Sequence, residues 1–148
     1  MNTNDDNKEI HDQAHIEENC IFCKIIRNEM PAVKVYEDNE TLAFLDIHPN
    51  SRGHILVIPK MHFENIYGLP VENWCHMNIT AQKISVALKS ELSADGINIV
   101  MNNESRAGQL VFHAHIHVIP RYNDFEDNKY TYTEGEMIEV VEKIKKVL

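Results

Sequence analysis

The segment Leu110–Ile119 reads Leu-Val-Phe-His-Ala-His-Ile-His-Val-Ile and packs three of the chain's nine histidines into five positions. Its β-branched and aromatic residues predict a strand. Side chains alternate along a strand, so His113, His115 and His117 share one face while Ala114, Ile116 and Val118 take the other. The apolar face can enter a core. The imidazole face serves no folding need, and imidazole titrates near neutrality, so a row of three offers a nucleophile, proton donors and metal ligands. A functional site is predicted on that face.

The rest of the chain bounds the setting for this strand. With 148 residues, 43% hydrophobic and 25% charged, the chain suits one domain with a real core. No run approaches the roughly 18 apolar residues of a membrane span, and the polar N-terminus lacks an apolar signal core. The reading is therefore no membrane and a cytoplasmic protein, with residues 1–15 a disordered tail and residues 16–148 a single domain. A formal net charge of −9 argues against nucleic acid as a partner, because that binding depends on neutralising many phosphates. A small phosphorylated ligand in a local pocket stays open. Three cysteines do not suggest a disulfide framework. Cys20 and Cys23 have the spacing of a metal or redox pair, and a thioredoxin-like role is disfavoured because no strand precedes them. Cys75, inside a helical pattern, reads as a small buried hydrophobe.

Along the chain, Cys20–Arg27 reads as a short helix. Val33–Tyr36, Thr41–Leu45, His54–Ile58 and Ile97–Met101 read as strands. Trp74, Met77, Ala81, Ile84 and Leu88 recur at steps of three and four, predicting a long helix over Val71–Leu92. Asn102–Gln109 is a polar loop, and Met137–Leu148 reads as a C-terminal helix. Short connections between strands, with one long helix crossing over, suggest an α+β domain with a mainly antiparallel sheet.

Five segments in order carry a resemblance: Cys20–Ile26, Leu42–Ile47, Gly53–Lys60, Gly108-Gln109 and His113–Ile119. Together they resemble the histidine triad (HIT) family of nucleotide hydrolases and transferases, whose His-x-His-x-His-x-x pattern has apolar x positions. The resemblance spans roughly Cys20 to Tyr122. It implies a HIT-like α+β fold with a five-stranded, mainly antiparallel sheet, one long helix and a C-terminal helix. It also implies a homodimer, for which the long helix and a sheet edge are the expected interface.

The resemblance further implies roles for individual residues. His115 corresponds to the nucleophile, and a neutral imidazole is suited to forming a labile phosphoramidate. His117 lies on the leaving-group side as a donor, with a purely orienting bond to His115 as the alternative. In members with a Cys-x-x-Cys pair it implies a structural zinc, held here by Cys20, Cys23, His54 and His113. Such a zinc would tie the N-terminal segment to the catalytic strand; two reduced, unliganded cysteines are the alternative. Asp46 is expected to accept bonds from ribose hydroxyls, with Ile21, Phe22, Phe44 and Ile47 forming the base slot. Taken alone, those four apolar residues would read as core. Asn102 and Gln109 match phosphate-contacting positions. Leu110 departs from the family, where Ser or Thr often follows the Gly-Gln pair. His11, His15, His48, His62 and His76 show no spacing that assigns a role.

The expected function is cleavage at the α-phosphate of purine nucleoside phosphoramidates or dinucleoside polyphosphates through a nucleotidyl-histidine intermediate. Two alternatives remain at this point. One is a zinc-dependent hydrolase using His113, His115 and His117 together as catalytic metal ligands. The other is a nucleotide-binding module without catalysis.

Overall fold

Strands β1 (Lys34–Glu37), β2 (Thr41–Leu45), β3 (Ile55–Pro59), β4 (Gly96–Val100) and β5 (Ile116–Arg121) form one five-stranded sheet in the order β1-β2-β3-β5-β4. Every neighbouring pair is antiparallel. Helices α1 (Ile21–Ile26), α2 (Val71–Glu91) and α3 (Glu136–Lys145) complete the domain, with short 3₁₀ turns at Ile66–Gly68 and Ser105–Ala107. The computed structural model describes residues 17–124 and 129–148, so the expected tail over residues 1–15 lies outside the described residues.

The sheet is covered on both faces, which is why β2 and β3 are apolar apart from Thr41 and buried at every position. On one face, Ala43, Leu45, Ile55, Val57, Ile116 and Val118 pack against Met77, Ala81, Ile84 and Leu88 of α2 and Val140 and Ile144 of α3. Each fully buried side chain of this size contributes about 1.5–3 kcal/mol. On the other face, Leu42, Phe44, Leu56 and Ile58 meet Phe22 and Ile25 of α1 in a smaller cluster. Trp74 lies partly buried against the main core, but Cys75 is exposed, correcting its expected burial. The helical step of about 100° turns position 75 away from the stripe of Met77, Ala81 and Ile84.

The hairpin between β1 and β2 is set by Asp38, whose Oδ1 accepts the backbone N–H of Glu40 and Thr41 at 2.8 and 2.7 Å. Gly53 opens β3 with φ +90°, and a Cβ there would stand 2.7 Å from Leu92 Cδ1. The left-handed backbone favours glycine, and the Leu92 side chain would have to shift to admit a Cβ.

The histidine run is shorter as a strand than expected. β5 begins at Ile116, and its ladder with β3 ends at Val57 opposite Ile116. Upstream, Ala114 N–H turns to the Phe63 carbonyl at 2.6 Å. Pro59 has no N–H to extend the ladder, and its carbonyl is taken by the His113 ring. Alternation nonetheless persists: Ala114, Ile116 and Val118 enter the main core, while the rings of His113 and His115 meet Phe22 on the opposite face.

Candidate functional site

Each triad histidine has its own partners, and those partners fix which ring nitrogen carries the proton. His115 Nδ1 lies 2.7 Å from the His113 carbonyl oxygen, which can only accept. The proton therefore sits on Nδ1 and the lone pair on Nε2. The ring is 6% exposed and stands edge-on to Phe22, with centroids 5.3 Å apart. Burial holds His115 below the usual imidazole range, so it is neutral at pH 7.

His113 has the opposite tautomer. Its Nε2 donates to the Pro59 carbonyl at 2.8 Å, which leaves the Nδ1 lone pair facing inward. That nitrogen lies 3.5 Å from Cys20 Sγ, 3.5 Å from Cys23 Sγ and 3.2 Å from His62 Nδ1. Cys23 Sγ is also 3.4 Å from His62 Nδ1. Ligand atoms around a tetrahedral zinc are separated by about 3.3–3.8 Å, given bond lengths of roughly 2.0–2.3 Å. The four groups thus fit a Cys₂His₂ cation site in both spacing and donor chemistry.

This arrangement corrects the expected ligand set. His62, which sequence left without a role, joins the cysteines, and His54 does not. The reason is the direction in which each residue leaves β3. His54 enters the strand at the end where β3 pairs with Val118, whereas His62 follows Pro59 at the end beside His113. The available signal was positional: His62 lies three residues beyond the proline that closes β3.

His54 instead partners His117. Asn50 N–H donates to His54 Nδ1 at 3.0 Å, so the His54 proton resides on Nε2. That Nε2 donates to His117 Nδ1 at 2.9 Å, which places the His117 proton on Nε2. Asp46 Oδ2 lies 3.5 Å from His54 Nε2 while its Oδ1 accepts His48 N–H at 2.8 Å. Burial pushes His54 and His117 each down to about 4, only partly opposed by Asp46. Asp46, His54 and His117 form a second close group, in which the two rings are joined by a hydrogen bond. Among the described residues, no group of close ligand atoms contains all three triad rings.

The remaining predicted residues divide. Phe22 and Phe44 are packed edge-to-face in the small cluster, while Ile21 and Ile47 are exposed beside it. Gln109 is 2% exposed with its amide fully engaged: Oε1 accepts Glu104 N–H at 2.8 Å, and Nε2 donates to the carbonyls of Glu64 and Val111 at 2.5 and 3.1 Å. Its side chain braces the 102–111 loop. Asn102 lies alongside Gly108, whose φ of +92° makes the turn before Gln109. Leu110 is 88% exposed.

An antiparallel five-stranded sheet carrying a histidine row at one end, beside a helix-capped cysteine pair, defines a histidine triad protein. A HIT domain matches residues 27–124, and the chain belongs to the HIT domain family, whose members bind and hydrolyse nucleotides. It is 50% identical over 108 residues to Protein hit of Bacillus subtilis (strain 168), covering 73% of this chain and 74% of that protein. It is 41% identical over 110 residues to Adenylylsulfatase HINT3 of Arabidopsis thaliana, covering 74% of this chain and 56% of that one. A crystal structure of a zinc-bound histidine triad family protein from Mycobacterium smegmatis superposes with a TM-score of 0.79 at 37% identity, covering 87% of this chain and 92% of that one. No helix among the described residues is long and apolar enough to cross a membrane.

Proposed function

We propose that this protein is a nucleotidyl-transferring hydrolase that cleaves purine nucleoside phosphoramidates or dinucleoside polyphosphates at the α-phosphate. The observation that carries the reading is the His115 tautomer, whose Nδ1–H is held by the His113 carbonyl and whose Nε2 lone pair is left for attack. Nε2 attacks the α-phosphorus and forms an N–P bond as the bond to the leaving group breaks. The leaving group departs with that electron pair, steadied by a hydrogen bond from the neutral His117 Nε2–H, and takes its proton from solvent. Water then attacks phosphorus, breaks the N–P bond, releases the nucleoside monophosphate and restores neutral His115. Donors near the phosphoryl oxygens stabilise the charge that spreads over them in the transition state.

Asp46 is assigned to the ribose hydroxyls, and Ile21 and Ile47 to the rim of a base slot floored by Phe22 and Phe44. Asn102 is assigned to the phosphate. Cys20, Cys23, His62 and His113 would hold a structural zinc, which supplies a rigid crosslink between α1 and the segment before β5. The named activity of the plant relative, an adenylylsulfatase, supports cleavage next to an adenylyl group. The protein is further proposed to act as a cytoplasmic homodimer without nucleic-acid or membrane partners.

The test is a hydrolysis screen of adenosine and guanosine phosphoramidates against dinucleoside tri- and tetraphosphates, with acid-free trapping of the intermediate. A nucleotidyl group recovered on His115 is the expected result. Tight nucleoside monophosphate binding with no turnover of any conjugate would instead favour a binding module.

A further inference from the structure

Between Asp46 and His54 runs a short loop, several of whose bonds lead away from the site. Ser51 Oγ donates to the Pro120 carbonyl at 2.5 Å, and Tyr122 Oη donates to the Arg52 carbonyl at 2.8 Å. The others come from the segment leading into α3. Tyr130 N–H donates to the Pro49 carbonyl at 2.9 Å, Gly53 N–H donates to Tyr132 Oη at 2.9 Å, and Arg52 Nε donates to Glu136 Oε1 at 3.1 Å. Glu136 ties that segment together, because its carboxylate also accepts from Tyr130 Oη at 2.5 Å and from Thr133 N–H and Oγ1 at 2.9 and 3.2 Å.

One peptide plane joins this clamp to the chemistry. The Pro49 carbonyl held by Tyr130 and the Asn50 N–H aimed at His54 Nδ1 belong to the same planar amide and point in opposite directions. Fixing the carbonyl therefore fixes the donor. The Asn50 donor in turn sets the proton on His54 Nε2, and through it the proton on His117 Nε2.

We propose that the Tyr130–Glu136 segment is a positioning element for the His54–His117 pair, with Tyr132 and Glu136 as its positioning residues. It acts through the Pro49-Asn50 amide to keep the His117 Nε2–H presented toward the reacting group. The kinetic half of the inference rests on the hydrolase reading above; the tautomer half does not.

The experiment measures imidazole ¹⁵N shifts of His54 and His117 in the full chain, together with kcat and KM. Tyr132→Phe removes the acceptor of Gly53 N–H, and Glu136→Ala releases the whole segment. Val141→Ala, which removes buried volume from α3 away from the clamp, controls for simple loss of stability. In the wild type, His54 Nε2 and His117 Nε2 are expected protonated. In Tyr132→Phe and Glu136→Ala both rings are expected to show mixed tautomers, with kcat about tenfold or more lower at nearly constant KM. Val141→Ala is expected to keep the wild-type tautomers at a comparable loss of Tm. Unchanged tautomers in both clamp variants, or equal mixing in Val141→Ala, overturn the proposal. If one clamp variant does not fold, the other decides. A wild type that turns over no nucleotide conjugate but shows the tautomer shifts overturns the hydrolase reading alone.

Discussion

His115 Nδ1 donates to the backbone carbonyl of His113 at 2.7 Å, while the His113 ring faces the two cysteines on its other side. One residue thus serves two centres, its main chain orienting the proposed nucleophile and its side chain a tetrahedral set of ligand atoms.

The first prediction concerns His115. His115→Ala or His115→Asn removes the ring nitrogen whose lone pair lies opposite the N–H held by the His113 carbonyl. Turnover of a phosphoramidate should fall about a thousandfold or more, while AMP binding persists. Near-normal turnover in such a variant, measured under single-turnover conditions, would remove His115 as the nucleophile.

Metal content separates the two ligand sets. Zinc measured on purified variants should be lost in Cys23→Ser and His62→Ala and retained in His54→Ala, because His62 Nδ1 and not His54 lies within 3.4 Å of Cys23 Sγ. Loss of metal in His54→Ala with retention in His62→Ala would reverse the assignment.

Stability should fall on mild acidification. Burial lowers His54 and His117 to about 4 in the folded state, while the unfolded chain titrates near the ordinary value of about 6.5. Between those values the unfolded chain binds more protons, so their contribution is complete above pH 6.5 and lost as the pH falls toward 4. Urea midpoints should therefore be lower at about pH 5 than at about pH 7 in metal-depleted protein. Equal midpoints would mean that the two rings are not held neutral by burial.

Gln109→Ala should act on the fold. The substitution removes the partner of Glu104 N–H and of two carbonyls around a side chain that is 2% exposed, at a cost of about 1–3 kcal/mol. Denaturant unfolding should register that loss. A fully stable variant with a raised nucleotide KM would instead restore Gln109 as a direct phosphate contact.

Period and punctuation made much of this legible in the sequence. The two-residue alternation around Ala114, Ile116 and Val118 told which face of that segment is core, and the three-and-four spacing of Met77, Ala81, Ile84 and Leu88 located α2. Those are local properties of the chain, and the structure agrees with them. Cys75 was misjudged because a helical pattern gives the buried stripe only to within a residue, and its phase is set by packing.

The sequence by itself determined the fold class, the family and the residue types of the site, because covalent order and side-chain periodicity suffice for these. Which histidine meets which partner was decided only in three dimensions. His54 and His62 flank the same strand and look equivalent as letters, yet β3 sends one to His117 and the other to Cys23. The proton positions on His113, His115 and His117 were likewise invisible, since each follows from a single carbonyl, ring or amide brought close by the sheet. Tertiary contact decides them because a hydrogen bond depends on distance and direction, and neither is written in the order of residues.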